Sequence, residues 1–385
     1  MLTGNFVYSR IIIKPKLLEM GTQNCGILND LLPVFRPYVQ NMCQDLKLGL
    51  CKTKVDFERI AFSTDGTESQ FRVILPYCSK KLKWDILFDS STPWFAPDFR
   101  FDDDSFILNV DEELLGEKVP SLAKWNECDP RALSNVVSEL INLYKTHQVK
   151  KLHEDESSRA YFEYTALLSD ALTSEYDIEV WVGNHIVEFL IRLKVDTSRL
   201  PELYNNDFEE NPGVDTALLL VRYPNSTNAE LILSPLLTNS LGNISLPQMH
   251  QSGVLMDYVP MVTELLNNKI QDLLNNEKLK RDLLAQLIVK YEGGILEYDA
   301  NSAAFLFEIN DFHWILQIDI GTFPEKPPIL TLRSVYHCSK GKPKFKVLSA
   351  CPYNNFEEYI EQQVEIFKIE CKGIPSSNPQ VNVDK

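Results

Sequence analysis

The chain has 385 residues, of which 44% are hydrophobic and 24% are charged, a composition that excludes a wholly disordered or collagen-like chain. Its 38 basic and 54 acidic residues give a formal net charge of −16. Because nucleic-acid binding depends on cationic side chains, this balance predicts no nucleic-acid partner and favours basic protein partners. At roughly 150 residues per domain, the length predicts two or three domains.

No apolar run approaches the roughly 18 residues that a membrane span requires, so we expect no membrane partner. The short run Ile11-Ile12-Ile13 ends at Lys14 and lacks the length of a signal-peptide core. The eight cysteines are scattered and form no Cys-x-x-Cys pair. Their spacing gives no indication of a zinc ribbon and favours reduced thiols in a cytoplasmic and nuclear protein.

The first predicted domain, residues 31–152, follows an N-terminal extension, residues 1–30, and opens with apolar residues at helical spacing. Two alternating runs then predict two strands. The predicted buried face consists of Phe71, Val73, Leu75, Leu82, Trp84, Ile86 and Phe88, and the predicted solvent-facing residues are Lys81, Lys83 and Asp85. A proline-rich segment at 92–97, which we call the first flap, precedes a short strand at 99–101. Asp129 and Pro130 predict the start of a long closing helix.

The second predicted domain, residues 158–276, repeats much of this order. A helix near Tyr164 precedes a hairpin at 178–182 and 186–195, in which Glu188, Arg192 and Lys194 are expected to face water. Strands at 217–222 and 230–233 and a helix at 256–274 complete it. This copy has no clear flap, because an acidic insert separates Pro201 from Pro212.

The third predicted domain, residues 277–374, begins with an amphipathic helix that carries Leu279, Leu283 and Leu287. Strands at 295–298, 305–309 and 314–320 precede the second flap, residues 323–328. A closing helix begins at Asn355, and a tail at 375–385 is expected to be disordered. The repeated order of helix, antiparallel meander, flap and helix predicts an α+β fold of three tandem modules.

The two flaps carry the spacings Pro93-x-x-x-Pro97 and Pro324-x-x-x-Pro328, which resemble the flap of ubiquitin-conjugating enzymes and their inactive variants. Trp125 is similar to a tryptophan of that family. From about residue 20 onward, the order of modules and the stretches at 82–86 and 334–337 identify the chain as a member of the BRE family. The resemblance implies tandem ubiquitin-conjugating-enzyme-variant (UEV/RWD-like) modules, each an antiparallel meander packed on helices.

The resemblance also implies a function, a non-catalytic scaffold or adaptor subunit of a BRISC or BRCA-A type deubiquitinase complex. Such a complex cleaves lysine-sixty-three-linked polyubiquitin in the DNA-damage response and in cytoplasmic ubiquitin signalling. The implied partners are a zinc-dependent JAMM/MPN deubiquitinase subunit, an Abraxas-family MPN pseudo-protease scaffold and a von Willebrand-A-like MERIT-type subunit. Ubiquitin and serine hydroxymethyltransferase are further candidate partners.

Conjugation chemistry would require a cysteine thiolate with a nearby asparagine as oxyanion donor. No cysteine lies between Phe101 and Trp125 in the first module. In the third module Ser339 stands where the family has asparagine, and Cys351 lies four residues beyond the expected position. The chain is therefore predicted not to be an enzyme, and the alternative is a degenerate ubiquitin-conjugating enzyme that uses Cys351 or Cys338.

We expect no cofactor and no metal, because no phosphate-binding glycine loop is present and the adjacent pair His337 and Cys338 cannot complete a tetrahedral site. The candidate interaction residues are Pro93, Trp94, Pro97, Phe323, Pro324, Pro327, Pro328 and Tyr336. Trp94 is predicted to be the most exposed large side chain of the first flap, with packing inside the flap as the alternative. The lysines at 340–346 predict a solvated basic loop or a surface for an acidic partner, and Asp102–Asp104 predicts a solvated acidic loop.

Overall fold

The computed structural model describes residues 31–50, 52–59, 69–106, 116–169, 174–183, 185–200, 215–224, 229–249, 253–309, 312–339 and 342–347. The chain forms two compact units, Met1–Lys269 and Ile270–Lys385. The described helices are α1 (Arg36–Asp45), α2 (Pro120–Ala123), α3 (Ala132–His153), α4 (Arg159–Ser169), α5 (Pro235–Leu241) and α6 (Leu255–Lys290). Short 3-10 turns lie at Glu175–Asp177 and Glu292–Gly294. No described helix has the length and apolar character that a membrane crossing requires.

The strands form three antiparallel sheets and a small ribbon, which confirms the predicted α+β class. The ribbon pairs β1 (Lys47–Leu48) with β2 (Thr53–Lys54). The first sheet has the order β3 (Asp56–Arg59), β4 (Gln70–Tyr77), β5 (Lys80–Leu87) and β6 (Asp98–Arg100). The second has the order β10 (Glu230–Leu233), β9 (Ala217–Tyr223), β8 (Ile186–Leu193) and β7 (Ile178–Gly183). The third has the order β11 (Ile295–Tyr298), β12 (Ser302–Ile309), β13 (Phe312–Asp319), β14 (Ile329–Ser339) and β15 (Lys342–Val347).

The core of the first sheet follows the alternation of its strands. Every residue of the predicted buried face on β4 and β5, together with Phe88, is at most 4% exposed. The face of α3 that carries Leu133, Leu140 and Tyr144 is buried in the same cluster. Asp85 was expected to face water, and that prediction is wrong: Asp85 is buried, and Arg72 Nε on the neighbouring strand lies 2.6 Å from its Oδ1.

The closing helix of this module begins two residues later than predicted. Asp129 does not cap α3, which starts at Ala132. Instead, the Asp129 carboxylate accepts the backbone N–H of Arg131 at 2.9 Å, and its carbonyl accepts the N–H of Ala132. The side chain thus stabilises a turn that leads into the helix, which is the local bonding that aspartate favours at such positions.

The second sheet is buried on both faces. Leu190, Leu218 and Leu220 join the core cluster of the first module. On the opposite face, the ring of Phe189 stacks on Tyr164 of α4 with centroids 6.3 Å apart. Strands covered on both sides read as continuous apolar runs, which explains the run of leucines in β9. The same burial makes the prediction for Glu188 wrong, because its side chain is buried rather than solvated.

The C-terminal unit packs one face of its sheet against the end of α6. Leu283 and Leu287 contact a cluster that includes Phe305, Leu316 and Ile318. We predicted two separate helices here, whereas α6 is continuous from Leu255 to Lys290 because no glycine or proline interrupts it near residue 275. Leu279 is 43% exposed and is not part of the predicted buried stripe. The predicted closing helix at Asn355, the extension 1–30 and the tail 375–385 lie outside the described residues.

Candidate protein-interaction site

The first flap is held by an aspartate turn and presents two aromatic rings to solvent. Asp89 accepts hydrogen bonds from the backbone N–H of Ser91 at 2.8 Å and from the hydroxyls of Ser91 and Thr92 at 2.6 and 2.8 Å. The Ser91 side-chain and backbone hydrogen bonds hold the pKa of Asp89 below its ordinary value. Phe95 N–H then donates to the Thr92 carbonyl at 3.1 Å, which continues the turn.

Within this turn, Pro97 is buried and Pro93 is half-buried, so the prolines anchor the flap to the module. Trp94 and Phe95 project outward and are 54% and 62% exposed, with ring centroids 6.3 Å apart. The prediction that Trp94 is the most exposed large side chain is therefore wrong, because a larger fraction of Phe95 is exposed. The two rings together form an apolar patch with the rigidity that proline gives a loop.

The second flap belongs to the C-terminal unit and is less exposed. Phe323 is half-buried against that unit's core, Pro324 and Pro327 are half-buried, and Pro328 is buried. The Phe323–Pro324 peptide bond is cis, and Lys326 N–H donates to the Thr322 carbonyl at 2.9 Å. Tyr336 lies in β14, and its side chain is outside what the structure describes.

The lysines that follow the second flap do not form the predicted loop. Lys342, Lys344 and Lys346 lie in β15, which pairs with β14 at one edge of the third sheet. The backbone of these three residues therefore forms a strand, where a loop was predicted.

A hydrogen-bonded carboxylate lies in the segment where the resemblance to ubiquitin-conjugating enzymes would place a catalytic cysteine. Asp103 accepts bonds from the backbone and hydroxyl of Ser105 and from Tyr144 Oη and Gln148 Nε2, the last two at 3.2 Å. Burial alone would raise the pKa of Asp103, but the Ser105 hydrogen bonds and the charge of Lys151 outweigh it and hold the pKa below its ordinary value. Asp103 is half-buried, so the prediction of a fully solvated acidic loop is wrong at this residue.

Aromatic side chains fill the remaining space around this segment. Phe106 is buried and contacts Tyr144 edge-on, with centroids 5.0 Å apart. Trp125 packs at the edge of the same core, 5.4 Å from the ring of Tyr38. Gln148, which bonds Asp103, also accepts the backbone N–H of Val182 in β7 at 2.9 Å. The segment after the first flap is thereby tied both to its own core and to the second sheet.

The described cysteines differ in how far they are exposed. Cys78 is buried, and burial raises the pKa of its thiol well above the ordinary value, which suppresses the thiolate. Cys128 is exposed beside the turn that precedes α3, and Cys43 is half-buried. The backbone of Cys338 lies in β14, and Cys351 is outside the described residues. Among the described residues, no group of three or more His, Cys, Asp or Glu side chains could hold a metal ion.

A buried carboxylate at the junction between the first two modules was not predicted from the sequence. Glu179 of β7 accepts the backbone N–H groups of Leu50 and Cys78, one on each oxygen, at 2.8 and 2.7 Å. Burial raises its pKa, although the two N–H donors oppose that shift. Gly49 has a φ of +71°, and a Cβ there would lie 3.1 Å from the Pro76 carbonyl oxygen, so glycine fits this turn.

A second buried carboxylate lies beside the first. Glu188 of β8 accepts hydrogen bonds from the Ser79 hydroxyl, from Lys80 Nζ at 2.8 Å and from Arg222 Nε at 3.3 Å. Burial would raise its pKa, but the bonds from Lys80 and Ser79 and the charge of Arg222 outweigh it, and the pKa lies below the ordinary value. In the sequence, the burial of each glutamate is indicated only by its position between two apolar residues of a strand.

Comparison with known proteins adds to this geometry. A family model described as "Brain and reproductive organ-expressed protein (BRE)" matches residues 29–338. The chain belongs to the BRE family. A protein named "BRISC and BRCA1-A complex member 2" from Branchiostoma floridae is 31% identical over 356 residues, which cover 86% of this chain and 90% of the relative. A protein of the same name from Danio rerio is 31% identical over 354 residues, 85% of this chain and 89% of that protein.

The BRE match includes both flaps, Tyr336 and Cys338, and it ends before Cys351. The predicted family resemblance is thus confirmed. The structure places three candidate residues, Pro93, Trp94 and Pro97, on one turn of the N-terminal unit, together with the neighbouring Phe95. The candidates Phe323, Pro324, Pro327 and Pro328 lie on one turn of the C-terminal unit. Their role in binding stays a prediction, as do the domain boundaries.

Proposed function

We propose that this BRE-family chain is a non-catalytic scaffold and adaptor subunit of a deubiquitinase complex of the BRISC and BRCA-A type. One observation carries the non-catalytic part of the proposal. The segment between Phe101 and Trp125 contains no cysteine, and its described part is occupied by the Asp103 hydrogen bonds. A fold that lacks its chemistry acts through its surface. The names of the two relatives, both complex members, support the scaffold part.

The finer proposal concerns partners and place. The complex would contain a zinc-dependent JAMM/MPN protease subunit, an Abraxas-family pseudo-protease and a von Willebrand-A-like subunit, and would cleave lysine-sixty-three-linked polyubiquitin. The C-terminal UEV-like domain would bind the von Willebrand-A-like subunit, and the N-terminal part would bind the protease core. We propose that the protein acts in both cytoplasm and nucleus.

Co-purification of the tagged full-length chain, followed by mass analysis of the bound proteins, tests this proposal. We expect the zinc protease subunit, the pseudo-protease and the von Willebrand-A-like subunit together. Recovery of the chain without a zinc protease subunit would contradict the proposal.

Trp94→Ala is expected to weaken binding of a partner subunit by about 2 kcal/mol or more, because exposed tryptophans beside rigid turns act as interface anchors. The side chain is 54% exposed, so we expect stability to change little. Calorimetric titration of the full chain with each purified partner subunit measures the effect. Tyr176→Ala is the matched control, since Tyr176 is an 84% exposed aromatic elsewhere in the same unit. A change within ~0.5 kcal/mol for every partner would mean that the flap only packs on its own module.

The rival function, a degenerate conjugating enzyme, makes an opposite prediction in a thioester assay. Incubation with ubiquitin, activating enzyme and ATP is expected to give no adduct on this chain, because neither flap-bearing module has a cysteine at the position that the family resemblance requires. A reducible ubiquitin adduct that disappears in Cys351→Ala or Cys338→Ala would establish the rival. A catalytically intact conjugating enzyme in the same assay is the positive control.

A further inference from the structure

A basic cleft lies in the N-terminal unit where β8 ends and β9 begins, next to the turn between β1 and β2. Its volume is about 210 Å³. The lining residues are Lys52, Arg192, Leu193, Lys194, Val195, Thr197, Asp215, Thr216 and Ala217. Among the described lining residues are three cations and one carboxylate, in a chain whose net charge is −16. The described lining of the cleft is therefore net positive, whereas the chain as a whole is net negative.

Arg192 lines this cleft and makes no ion pair with another described residue. Its Nε is buried and has no hydrogen-bond partner, and its Nη2 reaches only the Leu50 carbonyl at 3.5 Å. Within the described part of the chain, no carboxylate lies within ion-pair distance of this guanidinium. A guanidinium carries five N–H donors, and half-buried arginines ordinarily pair with carboxylate or phosphate oxygens. Among the described residues, Arg192 thus makes one long hydrogen bond to a carbonyl and no ion pair, and its side chain lines the cleft.

Two lysines flank Arg192 from different elements. Lys52 is exposed and lies in the turn between β1 and β2, with a φ of +52°. Lys194 follows β8; its Nζ lies 3.4 Å from an Asp177 oxygen, and its side chain remains 58% exposed. The hydroxyl-bearing Thr197 and Thr216 complete the polar lining. Together, one guanidinium, two ammonium groups and two hydroxyls are donors of the kinds that bind a phosphate group.

We propose that this cleft binds a phosphate group, carried either by a small soluble anion or by a phosphorylated side chain. This site goes beyond the scaffold function and does not depend on it. Cofactor and drug-sized ligands occupy roughly 300–1,000 Å³, so a cleft of about 210 Å³ suits a single charged group with part of its carrier. The phosphate oxygens would accept hydrogen bonds from the Arg192 guanidinium and would interact with the ammonium charges of Lys52 and Lys194.

Calorimetric titration of the full chain with inorganic phosphate, at constant ionic strength set by chloride, tests the proposal. We expect saturable binding at one site per chain. The double variant Lys52→Gln/Lys194→Gln is expected to weaken it by about tenfold or more, because two charge-assisted contacts are lost. Lys124→Gln, a change at an exposed lysine elsewhere in the same unit, is expected to bind as the wild type does. Equal affinity of the double variant and the wild type would overturn the proposal.

A second titration uses a short phosphoserine peptide and its unphosphorylated counterpart, and it separates the two sources of the group. Tighter binding of the phosphopeptide than of inorganic phosphate would assign the site to a phosphorylated side chain, and the reverse would assign it to a small anion. Arg192→Lys is expected to retain more affinity than Arg192→Gln for either probe, with folding checked by tryptophan fluorescence. Absence of saturable binding of both probes to the wild-type chain would overturn the proposal.

Discussion

Glu179→Ala is expected to lower the free energy of unfolding of the N-terminal unit by about 2–6 kcal/mol, since two buried N–H groups would each lose their acceptor at about 1–3 kcal/mol. The two groups belong to Leu50 and Cys78 of the first module, whereas Glu179 belongs to the second sheet. Denaturant unfolding followed by tryptophan fluorescence measures the change. Four of the five tryptophans, Trp84, Trp94, Trp125 and Trp181, lie in Met1–Lys269, so the signal reports chiefly on this unit.

Glu156→Ala is the matched control, because Glu156 is exposed in the same unit. We expect it to change stability by no more than ~0.5 kcal/mol. The difference between wild type and Glu179→Ala should also depend on pH. Because burial raises the pKa of Glu179 above 4.5, its contribution is fully present below the unfolded-state pKa and decreases as pH rises through the folded-state pKa. A destabilisation below about 1 kcal/mol would show that the junction does not rely on this carboxylate.

Deletion of residues 277–385 is expected to remove the von Willebrand-A-like subunit from the complex while the protease core stays bound. The described part of the C-terminal unit presents several exposed apolar side chains. These are Leu279, Val289, Leu296, Tyr298 and Ile329, of which Val289 is 76% and Tyr298 is 63% exposed. A standard interface buries roughly 800 Å² on each partner. Because the deletion removes the whole proposed interface, we expect no binding of the von Willebrand-A-like subunit to the shortened chain. Co-purification with the full-length and the shortened chain gives the comparison.

Two controls make the deletion interpretable. A chain that ends at Ile374 lacks only the predicted tail and is expected to retain every subunit. The shortened chain keeps the four N-terminal tryptophans, so its fluorescence reports whether the remaining unit is folded. Retention of the von Willebrand-A-like subunit by a folded chain that lacks 277–385 would place its docking site in the N-terminal unit.

The strands and their inward faces were predictable because alternation is a local property. Phe71, Trp84 and Ile86 are buried as their spacing requires. Asp85 and Glu188 were assigned to water by the same rule, and there the rule was wrong. Both carboxylates form ion pairs with residues of other strands. Asp85 pairs with Arg72 on the adjacent strand, and Glu188 pairs with Lys80 and Arg222. The residue pattern of one strand does not show which side chains of other strands will contact it.

The flaps were predictable as turns, but their exposure was not. Prolines at the spacing of Pro93 and Pro97 interrupt pairing wherever they occur, so the loop was certain. The fraction of Trp94 or Phe95 that faces water depends on the Asp89 turn, in which Ser91 and Thr92 hydroxyls fix the chain direction. These hydrogen bonds are local, because they join residues two and three positions apart, whereas the exposure of the two rings depends on what packs against the turn.

The second sheet, covered on both faces, limits how this protein can be divided. A fragment that begins near residue 153 would leave Leu190, Leu218 and Leu220 without the core residues of the first module that cover them. Such a strip of leucines on a sheet is the kind of surface that aggregates and recruits chaperones. The first two modules therefore have to be expressed and purified together. A mutation that unfolds either module is expected to expose apolar surface of the other to chaperones and proteases.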